Sequence, residues 1–394
     1  MAKRPGGSTI TKKEYTYIMA STLNQMVNYI PLHIDFDEIL FSKIYNITLL
    51  SDFENKKKTE ENEKWDKAFK SEFTRIAVQD INLNQATIHN EGEISRDLLH
   101  QLHGDTTPFF WNITGGQRPY LFAVMQIVKD RPDDIVIYLD GNKGKINWLQ
   151  GNCSQQEYAM PDLSLLSAFK LMSFNIKGAK REIASSSSTY PGKNTILWKK
   201  YIENSALRES FIASNKVAGS NKMDEVNDNL NDPELVELVN FHAGQSFPFG
   251  YILEEMVVDV IRSNFKGEIA AIEHSVKLEF DDKIQNIDVK NAQIDEFDIL
   301  ILTKTGQLIN IECKSGCMDG DVAKSTKYST YAVSGVYGLP VLITPLTKNE
   351  IANLGSLKEE YYKAIKSSVN AAKRANLEVW GIDEIKDKLT IKLN

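Results

Sequence analysis

Residues 109–113, Phe-Phe-Trp-Asn-Ile, read as a buried strand that meets Thr114-Gly115-Gly116, after which residues 120–128 carry apolar positions at helical spacing. A second apolar strand follows at 134–139. Strand, Gly-rich turn, helix and strand again is the pattern of a parallel sheet covered on both faces. Earlier segments extend it. Residues 14–19 read as a strand running into the polar loop Ser21-Thr22-Leu23-Asn24-Gln25, and 43–50 as a second strand. Residues 54–79 read as an amphipathic helix with Trp65, Phe69, Phe73 and Ile76 on one face, and 95–102 as a further helix.

At 394 residues the chain exceeds one ordinary domain, since domains run to about 100–200 residues. Residues 1–160 are expected to form the first domain. Residues 161–243 are expected to be a partly helical connector, with a serine run at 185–188, polar residues at 214–232 and helices at 195–213 and 233–241. Residues 244–394 are expected to form a second α/β domain. Apolar residues at 42% and charged residues at 25% fit a globular chain. With 46 Lys and Arg against 53 Asp and Glu, the net charge of −7 excludes a protein that coats nucleic acid through bulk charge. Any nucleic-acid contact is therefore local. No run of about 18 apolar residues occurs, and the three cysteines lack framework spacing. The expectation is a cytoplasmic protein with no membrane contact.

Three features of the second domain belong together chemically. On the helix that begins near Gly250, Glu254 shares a face with Val257, Val258 and Ile261, which turns it inward, while Glu255 aligns with Asp259 and Arg262 and turns outward. Residues 295–302 and 308–314 read as a hairpin whose loop at Lys304-Thr305-Gly306 needs positive φ at the glycine. A turn centred on Thr305 puts Asp298 opposite Glu312, and alternation adds Lys314 to that face while Cys313 goes to the core. Opposed carboxylates suit a hard divalent cation such as Mg²⁺ or Mn²⁺, with Lys314 stabilising the charge that develops on a phosphate. Solvent-facing strand charges are the alternative for each string taken alone. Asp321, Lys324 and Lys327 follow on a helix, either as a solvated face or as phosphate contacts. The order of Glu254, Asp298, Glu312 and Lys314 resembles the PD-(D/E)xK nuclease superfamily, with Phe297 where a proline is usual. The resemblance makes Glu254, Asp298, Glu312 and the backbone carbonyl of Cys313 the metal ligands, and all four side chains, Lys314 included, catalytic.

The Gly-Gly turn offers a second chemistry. Glycines let backbone N–H groups approach an anion, the following helix, opened by Pro119, adds the positive end of its dipole, and Arg118 adds a fixed charge. A tight turn without a ligand is the alternative. There is no G-x-x-x-x-G-K-[ST], which argues against a P-loop NTPase. Asn112-Ile113-Thr114-Gly115-Gly116-Gln117-Arg118 is similar to the N-x-T-G-G-T-K signature of CARF domains, the Rossmann-like sensors of cyclic oligoadenylates in type III CRISPR defence, with Gln117 and Arg118 as departures. That resemblance implies ligand contacts from Asn112, Thr114, Gly115, Gly116, Gln117 and Arg118, and from Ser21, Thr22, Asn24 and Gln25 in the loop after the first strand.

Together the two resemblances imply a Rossmann-like CARF domain joined to a restriction-endonuclease-like PD-(D/E)xK domain. The implied activity is that of a homodimeric nuclease activated by cyclic tetra-adenylate and cutting single-stranded DNA, duplex DNA or RNA with Mn²⁺ or Mg²⁺. The alternatives are a cyclic-oligoadenylate-binding regulator with an inactive nuclease-like domain and an ungated restriction or repair nuclease.

Overall fold

The computed structural model describes residues 12–22, 24–49, 66–83, 90–141, 143–151, 153–159, 163–172, 174–176, 191–218, 233, 236–237, 248–280, 293–318, 320–334, 338–357 and 359–393. They form two compact units, and the chain passes from the first to the second at Phe174–Asn175, inside the strand Phe174–Ile176.

The first unit is built on a seven-stranded sheet of order β3-β2-β1-β4-β5-β6-β7. Its strands are β1 (Lys13–Ala20), β2 (Ile39–Leu49), β3 (Val78–Leu83), β4 (Phe109–Asn112), β5 (Ile135–Asp140), β6 (Lys145–Gln150) and β7 (Gln155–Glu157). The first five are parallel and the last two antiparallel. Both faces of the sheet are covered, which is why Tyr17–Ala20 of β1 and Phe109–Trp111 of β4 are apolar without alternation. On one face Ile18, Ala20, Trp111 and Val136 pack beneath helices α1 (Glu91–Gln101) and α2 (Arg118–Ile127) through Ile94, Leu98, Tyr120 and Val124. On the other, Tyr17, Phe36, Phe41, Phe110 and Trp148 interlock, with Phe41 and Phe110 centroids 5.0 Å apart. Asp134, 1% exposed, ties the start of β4 to this frame by accepting from Phe109 N at 2.9 Å and Trp111 Nε1 at 3.0 Å.

The helix expected over 54–79 is shorter than that. Residues 66–72 are helical, but the chain then enters β3, where Ile81 and Leu83 are buried with Asn82 exposed between them, a period of two that ends the helix before Ile76. Trp65 and residues 54–64 lie outside the described residues, as do the serine run at 185–188 and most of the expected helix at 233–241.

The second unit carries a six-stranded sheet of order β13-β12-β11-β10-β9-β8. The strands are β8 (Phe174–Ile176), β9 (Ile269–Phe280), β10 (Gln293–Thr303), β11 (Leu308–Cys313), β12 (Gly338–Ile343) and β13 (Glu378–Trp380). β9, β10 and β11 run antiparallel, and β11, β12 and β13 parallel. The helix expected over 195–213 is two: α3 (Pro191–Glu203) and α4 (Ser205–Ala218). They break at Asn204, whose Oδ1 accepts from Ala206 N at 3.0 Å and Leu207 N at 3.2 Å as an N-cap. Leu197, Tyr201 and Phe211 from this pair join Phe249, Ile252 and Val257 of α5 (Pro248–Asn264) and Ile299, Ile309 and Ile343 of the sheet in one core. The opposite face of the sheet is covered by α6 (Gly320–Ser334) and α7 (Glu359–Ala375), through Ala323, Leu342 and Ala372.

The outward orientation expected for Glu255 and Asp259 does not hold. They are 9% and 3% exposed, because α3 covers that flank of α5 and Asn194 Nδ2 donates to Asp259 Oδ2 at 2.7 Å. Among the described residues no helix is long and apolar enough to cross a membrane.

Candidate functional site

In the second unit the β10–β11 hairpin closes through Thr303, whose Oγ1 accepts from Gln307 N at 3.0 Å, and Gly306 at φ 86°. Its register pairs Leu302 with Leu308 and Ile299 with Ile311, so that Asp298 and Glu312 are the next residues across from each other, as the turn arithmetic requires. Asp298 Oδ2 accepts from Cys313 N at 2.8 Å, which ties the carboxylate to the end of β11. Lys314 Nζ stands 2.5 Å from Glu312 Oε1 and 3.9 Å from Asp298 Oδ2. Glu254 faces the same cluster from α5, and its Oε2 lies 2.9 Å from His274 Nε2 on β9. The four residues singled out in the sequence are thus gathered at one end of one sheet, and His274 joins them.

The electrostatics of the cluster are those of excess negative charge in a poorly solvated place. Burial pushes Asp298 well above the usual carboxylate range, and the neighbouring Glu312 and Glu254 push it further, against the opposing pull of Lys314 and the Cys313 N–H. Burial would lower the Lys314 ammonium, but the Glu312 and Asp298 carboxylates outweigh it and raise its pKa. Asp298 and Glu312 around one lysine, with Glu254 acting on Asp298, are a donor set of hard oxygens suited to a divalent cation. Among the described residues no three Asp, Glu, His or Cys side chains stand as a ready-made cage for one. Lys314 is the cation that Asp298 and Glu312 share here, so loading an ion requires its ammonium to yield.

Two neighbours shape the cluster. The β9–β10 register pairs Val276 with Phe297 and His274 with Ile299, so Ser275 lies across from Asp298, and Ser275 adopts φ 51°. That left-handed conformation costs an L-residue roughly 1–2 kcal/mol. On the other side α6 covers the polar face of β11, with Asn310 Nδ2 donating to Thr330 Oγ1 at 2.9 Å and Thr326 Oγ1 donating to Glu312 Oε2 at 3.4 Å.

In the first unit the strand order reverses between β1 and β4, and the loops at their carboxyl ends flank the crevice where open α/β sheets take ligands. A Cβ on Gly115 would sit 2.9 Å from Thr22 Cγ2, and one on Gly116 2.3 Å from Tyr120 Cδ1. The glycines therefore let the turn close against the β1 loop and its own helix. Gln117 is the N-cap of α2 with Arg118 at the first helical position and Pro119 at the second; both Gln117 and Arg118 are exposed beside the free N–H groups of the helix start.

Not every residue assigned to this ligand site is free to meet one. Asn112 is fully buried: its Nδ2 donates to Tyr17 Oη at 2.8 Å and Val27 O at 2.9 Å, and its Oδ1 accepts from Thr114 Oγ1 at 2.6 Å and Thr114 N at 3.1 Å. Asn112 clasps the two loops together. Thr114 Oγ1 in turn accepts from Leu139 N at 2.9 Å. Gln25 is also fully buried, and with Ser21 it donates to Asp66 Oδ1, at 3.1 Å and 2.8 Å. Burial raises the Asp66 carboxyl, and the Ser21 hydrogen bond pulls it back. Thr22, Asn24, Gln117 and Arg118 retain partial or full exposure.

No family model and no curated protein matches the sequence. Solved structures do match the fold. Protein VC1899 from Vibrio cholerae aligns with 96% of this chain and 97% of its own at 14% identity, with a TM-score of 0.62. Can2 from Sulfobacillus thermosulfidooxidans, in complex with cyclic tetra-adenylate, aligns over 96% and 97% at 14% identity and a TM-score of 0.58. The chain shares their fold. The two α/β sheets expected from the sequence are the architecture observed, the first with a Rossmann-like reversal of strand order between β1 and β4.

His274 and Asp66 were not visible as site residues in the sequence. The alternation of Val276, Leu278 and Phe280 with Lys277 and Glu279 marks β9 as a strand, but nothing local says that it lies against Glu254.

Proposed function

We propose that the chain is a homodimeric, metal-dependent nuclease of type III CRISPR defence, gated by cyclic oligoadenylate. The observation that carries this reading is the convergence of Asp298, Glu312 and Lys314 at one hairpin end, within range of Glu254, in a chain that aligns end to end with a protein that binds cyclic tetra-adenylate. Asp298, Glu312 and the Cys313 backbone carbonyl would hold Mg²⁺ or Mn²⁺, with Glu254 completing the acidic set. When bound, the ion supplies activation of water and neutralisation of charge at a scissile phosphodiester. Lys314, displaced from Glu312, places its ammonium where negative charge develops on phosphorus-bound oxygens. His274 keeps the Glu254 carboxylate turned toward the cluster.

Cyclic tetra-adenylate would seat across the carboxyl ends of β1 and β4. The backbone N–H groups at the start of α2 and the Arg118 guanidinium meet its phosphates, and Thr22 and Asn24 line the facing loop. A two-fold symmetric ligand suits two copies of one surface. It gates cleavage if it binds the cutting-competent dimer more tightly than the idle one.

Two measurements test the reading. Mn²⁺ in 100-fold excess over its dissociation constant stabilises a binding protein by about 2.7 kcal/mol, so it should raise the melting temperature of the wild type and leave Asp298→Asn unmoved. Glu312→Ala should abolish cleavage and retain uptake of cyclic tetra-adenylate by calorimetry, while Arg118→Ala should weaken uptake. Loss of cleavage and uptake together in Glu312→Ala would contradict the division of labour. The regulator reading is favoured by one observation, the closeness of the Lys314–Glu312 pair at 2.5 Å. A wild type that takes up the ligand and cuts nothing with either metal would support it.

A further inference from the structure

Helix α6 has one face committed to the fold and one left in water. Ala323, Thr326, Ser329, Thr330 and Val333 are buried against the sheet, and Thr326 reaches Glu312. The opposite stripe holds Lys324, Lys327, Tyr328 and Tyr331, spaced by three, four and seven residues so that they share one side of the helix. Tyr328 is 73% exposed and Tyr331 41% exposed, and Lys327 Nζ stands 5.9 Å from the centre of the Tyr331 ring.

The counter-charge on this stripe is Asp321, 3.3 Å from Lys324 Nζ. Both side chains are largely in water, 96% and 75% exposed, and such pairs contribute little. A phosphate can replace that carboxylate at small cost. Aromatic faces and ammonium groups alternating along one exposed line offer two things at once: a flat apolar platform and a matching positive charge. Unpaired nucleotides present the complement, a base face and a phosphate. In a duplex the base faces are stacked on one another and only the phosphates remain.

We propose that this stripe of α6 binds the substrate strand, with unpaired bases stacking on Tyr328 and Tyr331 and phosphates meeting Lys324 and Lys327, on the outer face of the helix whose inner face reaches Glu312 through Thr326. The proposal rests on the hydrolytic reading of Asp298, Glu312 and Lys314 and adds the substrate form, single-stranded nucleic acid.

The test measures fluorescence anisotropy of a labelled single-stranded DNA 20-mer, and of the same strand in a duplex, in EDTA with saturating cyclic tetra-adenylate. Tyr328→Ala with Tyr331→Ala should weaken single-strand binding on the order of ten-fold per tyrosine, with duplex binding and melting temperature unchanged. Tyr328→Phe with Tyr331→Phe should restore it. Unchanged single-strand affinity, or an equal loss for strand and duplex, would overturn the proposal. A changed oligomeric mass with intact strand affinity would assign the stripe to a second copy of the chain and overturn it too. Cleavage by the wild type is scored separately. Cutting that survives the alanine pair with affinity intact sinks the stripe alone, whereas strand binding without any cutting sinks the hydrolytic reading alone.

Discussion

His274 Nε2 lies 2.9 Å from Glu254 Oε2, a contact between the middle of β9 and the first turns of α5 that neither element makes by itself. Only 4% of the His274 side chain is exposed, so its contact with Glu254 is made away from water. A group that orients an acidic ligand typically changes metal affinity or activity by about 10–100-fold when removed. His274→Leu should therefore raise the Mn²⁺ concentration for half-maximal cleavage by roughly that range, and His274→Gln, which can still donate, should recover much of it. An unchanged metal requirement in both variants would mean that the pair is structural only.

Ser275, next along β9, holds φ 51° across from Asp298. A β-branched residue is a poor fit to that conformation. Ser275→Val should destabilise the protein by about 1–2 kcal/mol, and Ser275→Gly should stay within about 1 kcal/mol of wild type. Urea unfolding orders the three; a valine variant as stable as the glycine variant would show that β9 can relax here at no cost.

The clasp at Asn112 gives a prediction for the other unit. Asn112→Ala removes the donor to the Val27 carbonyl and to the Tyr17 hydroxyl, which keeps only its bond to Asn28 O, and the acceptor of Thr114 N and Oγ1, a loss of about 1–3 kcal/mol. Because Asn112 joins the two loops that flank the ligand crevice, uptake of cyclic tetra-adenylate should weaken together with stability. Weakened uptake at undiminished stability would instead make Asn112 a direct ligand contact.

His33 makes the first unit sensitive to acid. Its ring stacks on Tyr29 at 4.1 Å with a buried, unpartnered Nε2, and burial, with Arg75 adding to it, lowers its pKa from 6.5 to about 4. The unfolded chain takes up a proton in that window and the folded chain does not. Stability from this group is complete above pH 6.5 and is lost as pH falls toward 4. His33→Phe keeps the stack and should flatten the fall in the urea midpoint between pH 7 and pH 5 relative to wild type. An identical slope in the variant would place the acid sensitivity elsewhere.

What could be read from the sequence follows the range of the interactions. Asp298 opposite Glu312 is a local matter, set by a five-residue turn with Gly306 at φ 86°, and it was legible. So was the inward side of Glu254, which helical period alone decides. Glu255 was misjudged because the period cannot say that a second helix, α3, covers the other flank. Asn112 shows a similar limit: an amide before Thr-Gly-Gly has the chemistry of a ligand contact, and only burial between Tyr17 and Val27 assigns it to the loops. Asp66 was hidden for the same reason, since its partners Ser21 and Gln25 lie more than forty positions away in sequence.

The most direct test of the central claim is cleavage of matched single-stranded DNA, single-stranded RNA and supercoiled plasmid by the full chain, with and without Mn²⁺ and with and without cyclic tetra-adenylate, and with Glu312→Ala alongside. Cutting only when metal and cyclic tetra-adenylate are both present, and none by Glu312→Ala, is the predicted result. Equal cutting with and without cyclic tetra-adenylate, or undiminished cutting by Glu312→Ala, would contradict the account.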